Sequence, residues 1–416
     1  MFDLIIQRLQ GKRVLVLGFG REGRSTLSFL QKHMPHAVVG VADKNPMDGV
    51  THSGERYLDS IYDYDIVIKT PGISLKDFDT KDVEITSQTD LFLSQFHKQT
   101  IGITGTKGKS TTTSLIYHLL KSSGRDAILT GNIGIPCFDV MDDINTDSIV
   151  VYELSAHQLE YVHQSSRVGV LLNVYEEHLD HFGTFERYKY AKFNLLRFMQ
   201  SDDVAVVHES LLDEVKALKV PYKVFSEHEF AIDVKAFPLL GEHNLSDAKA
   251  ALTACAAYGC DTDALLPYLY SFHPLEHRLE LVGTFGGITF YNDSISTIPQ
   301  AAVAACKAVG KVDFLLLGGF DRNIDYNPLV EFLLEYGVPH LLFTGKAGER
   351  MMEMLRERGC QSDLVRYDSM EAAFAYLKYY AKIGDVCLLS PAASSYDQYK
   401  NFEERGRKFK DLAKGF

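Results

Sequence analysis

The chain has 416 residues, 46% of them hydrophobic and 24% charged, an ordinary globular composition too long for one core, so two or three domains are expected. A formal net charge of −12 argues against general nucleic-acid binding, and no run approaches the roughly 20 apolar residues of a membrane span. Residues 1–8 carry Asp3 and lack the pattern of a secretory signal; the scattered Cys137, Cys255, Cys260, Cys306, Cys360 and Cys387 form no Cys-x-x-Cys pair and fit a reducing cytoplasm.

After a helix-like opening, the apolar run Val14-Leu15-Val16-Leu17 leads into Gly18-Phe19-Gly20-Arg21-Glu22-Gly23 and a helical pattern over 25–30. A second run, Val38-Val39-Gly40-Val41-Ala42, ends in Asp43, and Tyr64 to Lys69 reads as a further strand before the turn Thr70-Pro71-Gly72. Glycines at this spacing with a following acid fit a dinucleotide fingerprint, the acid holding a ribose hydroxyl. Alone the motif fits tight-turn packing as well.

A second unit begins near Gln99. Ile101-Gly102-Ile103-Thr104 predicts a strand, residues 111–121 a helix, and between them lies Gly105-Thr106-Lys107-Gly108-Lys109-Ser110-Thr111. Strand, glycine turn and helix make a phosphate cradle: backbone N–H groups and the helix N-terminus face the anion. Lys109 reaches the β- and γ-phosphates, and the Ser110 hydroxyl takes a place on Mg²⁺. Ile103 stands where the strict spacing has glycine, so this is a variant P-loop for ATP. Further strands are expected over 148–152 and 168–172. Glu153 closes the first of these beside the P-loop, and Asn173-Val174-Tyr175-Glu176-Glu177-His178-Leu179-Asp180-His181 follows the second. His178 and His181 have zinc-pair spacing without further ligands, so a phosphate-bound Mg²⁺ fits better; the competing reading is a charge-rich surface loop. An alanine-rich helix spans 248–258, and a third segment starts near His273-Pro274, with strand-like runs at 288–291, 314–317, 341–344 and 386–389.

Strands alternating with helices imply parallel, doubly wound sheets. The fold class expected is α/β with three domains: a Rossmann-like domain over 1–94, a central P-loop ATPase-type parallel-sheet domain over 95–275, and a C-terminal Rossmann-like domain over 276–416.

These residues resemble the Mur ligases, the ATP-dependent amino-acid ligases of peptidoglycan synthesis. The Thr104 to Thr111 run looks like their ATP loop. Glu153-Leu154-Ser155-Ala156-His157-Gln158-Leu159-Glu160 and the Asn173 to Asp180 run are similar to their central motifs. His277-Arg278-Leu279-Glu280 and Asn292-Asp293-Ser294 match the start of their third domain, and the run from Leu389 to Gly406 is close to the signature of the D-glutamate-adding branch. The resemblance implies that Lys109 and Ser110 bind the triphosphate and Mg²⁺, that Glu153 completes that metal site, and that His178 holds a second Mg²⁺ supported by a carbamylated Lys192, with Lys189 the near competitor. Asn244 would meet adenine, while Arg278 and Asp293 would grip phosphate and ribose on domain closure. Gly18, Phe19, Gly20, Arg21 and Asn132 (in Gly131-Asn132-Ile133-Gly134) would hold UDP-N-acetylmuramoyl-L-alanine with Asp43 near uridine, and Thr297, Ser395 and Phe402 would position glutamate. The implied chemistry is ligation through an acyl phosphate by a cytoplasmic monomer, with neither nucleic acid nor membrane as partner.

Two departures fall where the amino acid would bind. Ile295-Ser296-Thr297-Ile298-Pro299 replaces a family run that carries lysine, and Gly318-Gly319-Phe320-Asp321-Arg322-Asn323 lacks a second one. Arg322 offers the lost charge in a different geometry, which leaves L-glutamate as the alternative to D-glutamate. Folylpolyglutamate synthase shares the P-loop but not the Gly18 to Asp43 fingerprint. An NAD-dependent oxidoreductase leaves the P-loop and Glu153, His178 and Lys192 unexplained, and a regulatory module without catalysis predicts ATP binding with no phosphate release.

Overall fold

The computed structural model describes residues 2–132, 135–226, 230–273 and 276–416. Ile133 and Gly134 of the Gly131-Asn132 run, and the expected boundary at 275, lie outside the described residues. Three sheets follow the three expected segments. The first contains β1 (Arg13–Leu17), β2 (Val38–Ala42), β3 (Ile66–Lys69) and β4 (Glu84–Thr86), all parallel in the order β2-β1-β3-β4. Val14 to Leu17 are fully buried, because crossover helices cover both faces of a parallel sheet. Strand β1 is flanked by β2 and β3, so the Gly18 to Gly23 turn leaves the sheet at a switch point, where doubly wound folds hold ligands. A Cβ on Gly23 would stand 2.0 Å from the Gly18 carbonyl; only glycine lets helix Arg21–His33 start this close to the turn.

The second sheet has β5 (Thr100–Thr104), β6 (Ala127–Gly131), β7 (Ile149–Glu153), β8 (Val168–Leu171), β9 (Val204–Val207) and β10 (Tyr222–Val224). It is parallel in the order β10-β9-β8-β5-β7-β6. Register pairs Ile103 with both Glu153 and Val170, which sets the end of β7 and the loop after β8 on either side of the P-loop. The first two sheets share one core: the Phe92 ring meets Tyr152 at 5.4 Å, and Phe29 meets Phe138 at 4.6 Å. They accordingly form one compact unit, Met1–Phe237 with His243–Phe272, while Pro238–Glu242 and His273–Phe416 form the other. The expected division at 94 falls inside helix Gln88–Phe96 of that shared core.

The second unit is built on β11 (Glu280–Phe285), β12 (Ile288–Asn292), β13 (Phe314–Gly318), β14 (His340–Thr344), β15 (Asp363–Arg366) and β16 (Val386–Leu389), in the order β11-β12-β16-β13-β14-β15. Only the edge strand β11 runs antiparallel to its neighbour. Leu315, Leu317 and Phe343 pack on one face and Phe290, Phe314 and Leu342 on the other. No described helix is long and apolar enough to cross a membrane.

Candidate active site

The glycine turn follows β5 directly. Gly108 has φ +84° and caps helix Lys109–Ser122, and a Cβ there would stand 2.3 Å from Asp247 Oδ1. Asn173 clamps the loop from the end of β8. Its Oδ1 accepts from the amides of Thr106 (3.1 Å) and Lys107 (2.9 Å), and its Nδ2 donates to the Lys107 carbonyl at 3.1 Å. The Thr106 hydroxyl meets that of Tyr188 at 3.0 Å. Lys109 Nζ folds back onto the carbonyls of Gly105 (2.9 Å) and Thr106 (3.0 Å), a curled ammonium that phosphate oxygens would recruit. Lys107 pairs with Glu177 at 2.8 Å. Ser110 lies partly exposed in the first helical turn and Thr111 is buried behind it. Asn244 lies on helix Glu242–Tyr258, one turn before the Asp247 that covers Gly108.

Glu153 is buried at the mouth of the sheet. Its Oε1 accepts from Asn132 Nδ2 at 2.9 Å, while Oε2 is buried with no hydrogen-bond partner. A carboxylate oxygen left so is costly unless a cation serves it. Lys192 is 1% exposed, with Nζ 2.7 Å from the Gly105 carbonyl and 4.7 Å from the centre of the Tyr188 ring. Burial, and then the charge of Lys109, hold its amine well below the ordinary lysine range. Lys189, by contrast, is partly exposed and paired with Glu214, so Lys192 is the one that faces the phosphate turn. His178, in a left-handed conformation (φ +58°), is half-exposed and lowered in basicity, chiefly by burial. The His157 ring sits between His178 (4.7 Å) and His181 (4.3 Å), and burial followed by those two neighbours takes it down to about 4. His181 points to Glu160 at 3.1 Å, so His178 and His181 do not present a joint metal pair.

Among the described residues no group of three or more His, Cys, Asp or Glu could hold a metal alone. The orphaned Glu153 oxygen and the Ser110 hydroxyl nonetheless suit Mg²⁺, which takes one or two carboxylates and completes its octahedron with phosphate oxygens and water. A cavity of about 400 Å³ brings together Lys109, Asn132, His157, Glu177, His178 and Lys192.

A second cavity, about 600 Å³, is lined by Gly18, Phe19, Gly20, Arg21 and Asp43, among others, and shares Pro71, Gly72, Asn132 and Ser155 with the first. Asp43 stiffens the glycine turn: Oδ2 accepts from the Phe19 amide (2.8 Å) and Oδ1 from the Asn45 amide (2.9 Å). The two cavities therefore adjoin at Asn132, between the Gly18 to Asp43 turn and the space beside Lys109 and Lys192.

In the second unit Arg322 Nη2 donates to the Thr297 carbonyl at 2.8 Å, bringing together two residues singled out for the amino acid. Ser395 is buried, and the Phe402 carbonyl accepts from Ser294 Oγ at 2.8 Å. Asp293 is 4% exposed and accepts from the Leu279 amide (3.0 Å) and Ser390 Oγ (2.7 Å); burial pushes its carboxyl up to about 6. Both oxygens thus have protein donors, which ties the carboxylate to its own unit. Arg278 lies between His277 and Leu279, whose φ values of +66° and +44° are left-handed, and its Nε is buried without a partner.

Sequence reasoning missed several groups. In sequence Asn173 only opens a charged run; nothing local marks it as the loop's clamp. Asp247 follows Asn244 by one turn of the same helix, a spacing that could have drawn notice. Gln158 donates to Glu22 at 2.7 Å and Lys69 pairs with Glu160 at 3.0 Å; these contacts join distant segments and leave no local pattern. Arg405, inside the C-terminal signature, is buried and donates to Ser294 Oγ (3.0 Å), the Ser294 carbonyl (2.8 Å) and the Ala393 carbonyl (3.1 Å), stapling the Ser395 and Phe402 loop to the Asp293 turn.

The chain matches the Mur ligase middle domain over residues 103–235 and the Mur ligase, glutamate ligase domain over 277–393. It is 31% identical to the UDP-N-acetylmuramoylalanine–D-glutamate ligase of Acetivibrio thermocellus, covering 98% of this chain and 97% of that one. The protein of the same name from Oenococcus oeni is also 31% identical, over 97% of each chain. Among solved structures, the MurF ligase of Thermotoga maritima in complex with ADP matches over 100% of both chains at TM-score 0.63 and 18% identity. A Mycobacterium tuberculosis folylpolyglutamate synthase complexed with ADP and AMPPCP matches over 77% of this chain and 94% of its own, at TM-score 0.58 and 14% identity. These two share the fold.

Proposed function

The chain belongs to the Mur ligase family, and from that premise we propose that it joins D-glutamate to UDP-N-acetylmuramoyl-L-alanine with ATP, in the synthesis of peptidoglycan precursors. The observation that carries this reading is the meeting of the two cavities at Asn132, which connects the Gly18 to Asp43 turn with Lys109 and Lys192. A carboxylate is a poor electrophile. The alanine carboxylate of the acceptor first attacks the γ-phosphorus of ATP; the bond to the β,γ-bridging oxygen breaks, and ADP leaves with an acyl phosphate in place. Lys109 and the turn's N–H groups stabilise charge on the transferring group. The glutamate amine then attacks the acyl carbon, the C–O bond to phosphate breaks, and a proton departs as the amide forms.

Ser110 and Glu153 would hold one Mg²⁺, and His178 with a carbamylated Lys192 a second; bound there, the ions would supply neutralisation of phosphate charge. A neutral lysine amine is the form that adds to CO₂, releasing a proton and leaving a carboxylate on nitrogen, and burial of Lys192 shifts its amine toward that form. Asn244 is assigned to adenine, Arg278 and Asp293 to phosphate and ribose. Thr297, Arg322, Ser395 and Phe402 are assigned to the amino acid, and Asp43 to the uridine end of the acceptor. The reaction is placed in the cytoplasm and assigned to a single chain.

Arg322 at Thr297, in place of the family's lysines, favours one second reading, L-glutamate as the amine. The test is phosphate release with UDP-N-acetylmuramoyl-L-alanine and each glutamate isomer. Release with D-glutamate alone supports the first reading, release with L-glutamate alone supports the second, and release with neither overturns both.

A further inference from the structure

Arg322 has an aspartate immediately before it in the chain, yet among the described residues no carboxylate lies within ion-pair distance of its guanidinium. The reason is Arg350, on helix Gly345–Glu357. Its Nη1 lies 3.3 Å from Asp321 Oδ1 and 3.1 Å from Oδ2, and its Nη2 donates to the Ile324 carbonyl at 2.9 Å. The same guanidinium covers the ring of fully buried Tyr326 at 5.0 Å, and the Tyr326 hydroxyl donates to Asp321 Oδ1 at 3.3 Å. The amide of Asn323, itself left-handed (φ +56°), reaches that oxygen too, at 2.8 Å. One end of the loop is fixed by the Phe320 amide on the Ser394 carbonyl at 2.8 Å, beside Ser395. Arg322 is left exposed, and among the described residues its guanidinium hydrogen-bonds to the Thr297 carbonyl.

We propose that Arg350 is a positioning residue for the incoming amino acid: it fixes the 319–326 loop and occupies Asp321, so that Arg322 meets the side-chain carboxylate of the substrate instead of its own neighbour. This rests on the ligase reading above and deepens it, since a guanidinium kept clear of internal carboxylates selects a dicarboxylic amino acid. Arg350 acts through Arg322 and touches no substrate.

The test is steady-state kinetics on the full chain with Arg350→Met, Arg350→Lys, Arg322→Met and the Arg322→Met/Arg350→Met double variant. Loss of one oriented charge-assisted contact corresponds to about a tenfold change. Arg350→Met is therefore expected to raise KM for glutamate about tenfold, with kcat and the KM values for ATP and acceptor within about twofold of the parent. Arg350→Lys falls between, because an ammonium cannot serve Asp321 and the Ile324 carbonyl as a fork. The double variant matches Arg322→Met, since two residues acting as one unit are not additive. The proposal is overturned if Arg350→Met leaves KM for glutamate unchanged while Arg322→Met raises it, if the two effects multiply, or if all three KM values rise together. An unchanged KM in Arg322→Met overturns it together with the role of Arg322. A parent enzyme inactive with both glutamate isomers overturns the ligase reading itself, and this proposal with it.

Discussion

Gly108 and Gly124 offer a matched pair of perturbations on one helix. Both glycines are left-handed, at φ +84° and +81°, at opposite ends of helix Lys109–Ser122. A Cβ on Gly124 meets nothing within 4 Å, whereas one on Gly108 stands 2.3 Å from Asp247 Oδ1 and 3.0 Å from its Cγ. Gly124→Ala thus carries only the conformational cost of an L-residue in that region, about 1–2 kcal/mol. Gly108→Ala carries the same cost plus displacement of a carboxylate that is 7% exposed, so the total is expected at about 3 kcal/mol, within the range for strain and overpacking. A misplacement near 1 Å in a phosphate cradle costs on the order of 100-fold in rate. Urea unfolding of both variants gives the stabilities, and ATP-dependent phosphate release gives the activities. Equal stabilities, or a Gly108→Ala enzyme with unaltered ATP kinetics, would refute the reasoning.

Three further outcomes follow from the same site. Lys192→Met keeps the length of a side chain whose amine burial holds well below the ordinary lysine range. Stability by urea unfolding should stay within about 1 kcal/mol, while turnover falls at least about 100-fold; retention of full turnover would remove Lys192 from the machinery. Asn173→Ala strips the Thr106 and Lys107 amides of their side-chain acceptor, so KM for ATP should rise about tenfold and stability fall by about 1–3 kcal/mol. Burial pushes the Glu22 carboxyl up to about 7 from 4.5, so the folded chain keeps a proton that the unfolded chain has released. That stabilisation is complete below pH 4.5 and lost as pH rises through 7. Glu22→Gln lacks this loss, and relative to the parent it should gain about 3 kcal/mol between pH 4.5 and 8 in urea unfolding.

Central strands were legible because burial on both faces makes them continuous apolar runs: β1, β5, β8 and β13 sit where Val14 to Leu17, Ile101 to Thr104, Val168 to Leu172 and Phe314 to Leu317 had placed them. The strands not read are mostly sheet edges, β4, β6, β10, β11 and β15. They are short or half-exposed, as in Asp363–Arg366, and β11 is broken by a bulge between Leu281 and Gly283. At the site, the P-loop and Glu153 are local and declared themselves. The Asn132–Glu153 bond, the Asn173 clamp and the Asp321–Arg350 pair join residues 21, 66 and 29 positions apart, distances at which a single sequence carries no pattern. The merging of the first two sheets was likewise hidden, since the shared core of Phe92 and Tyr152 looks the same in sequence as two separate cores.

The central claim is that the acceptor carboxylate is activated as an acyl phosphate at the Lys109 loop. It is tested most directly by supplying UDP-N-acetylmuramoyl-L-alanine labelled with ¹⁸O in its alanine carboxylate, together with ATP and glutamate, and recovering the inorganic phosphate. Attack of that carboxylate on the γ-phosphorus predicts one labelled oxygen in each phosphate released with product. Product formed with unlabelled phosphate would contradict the account.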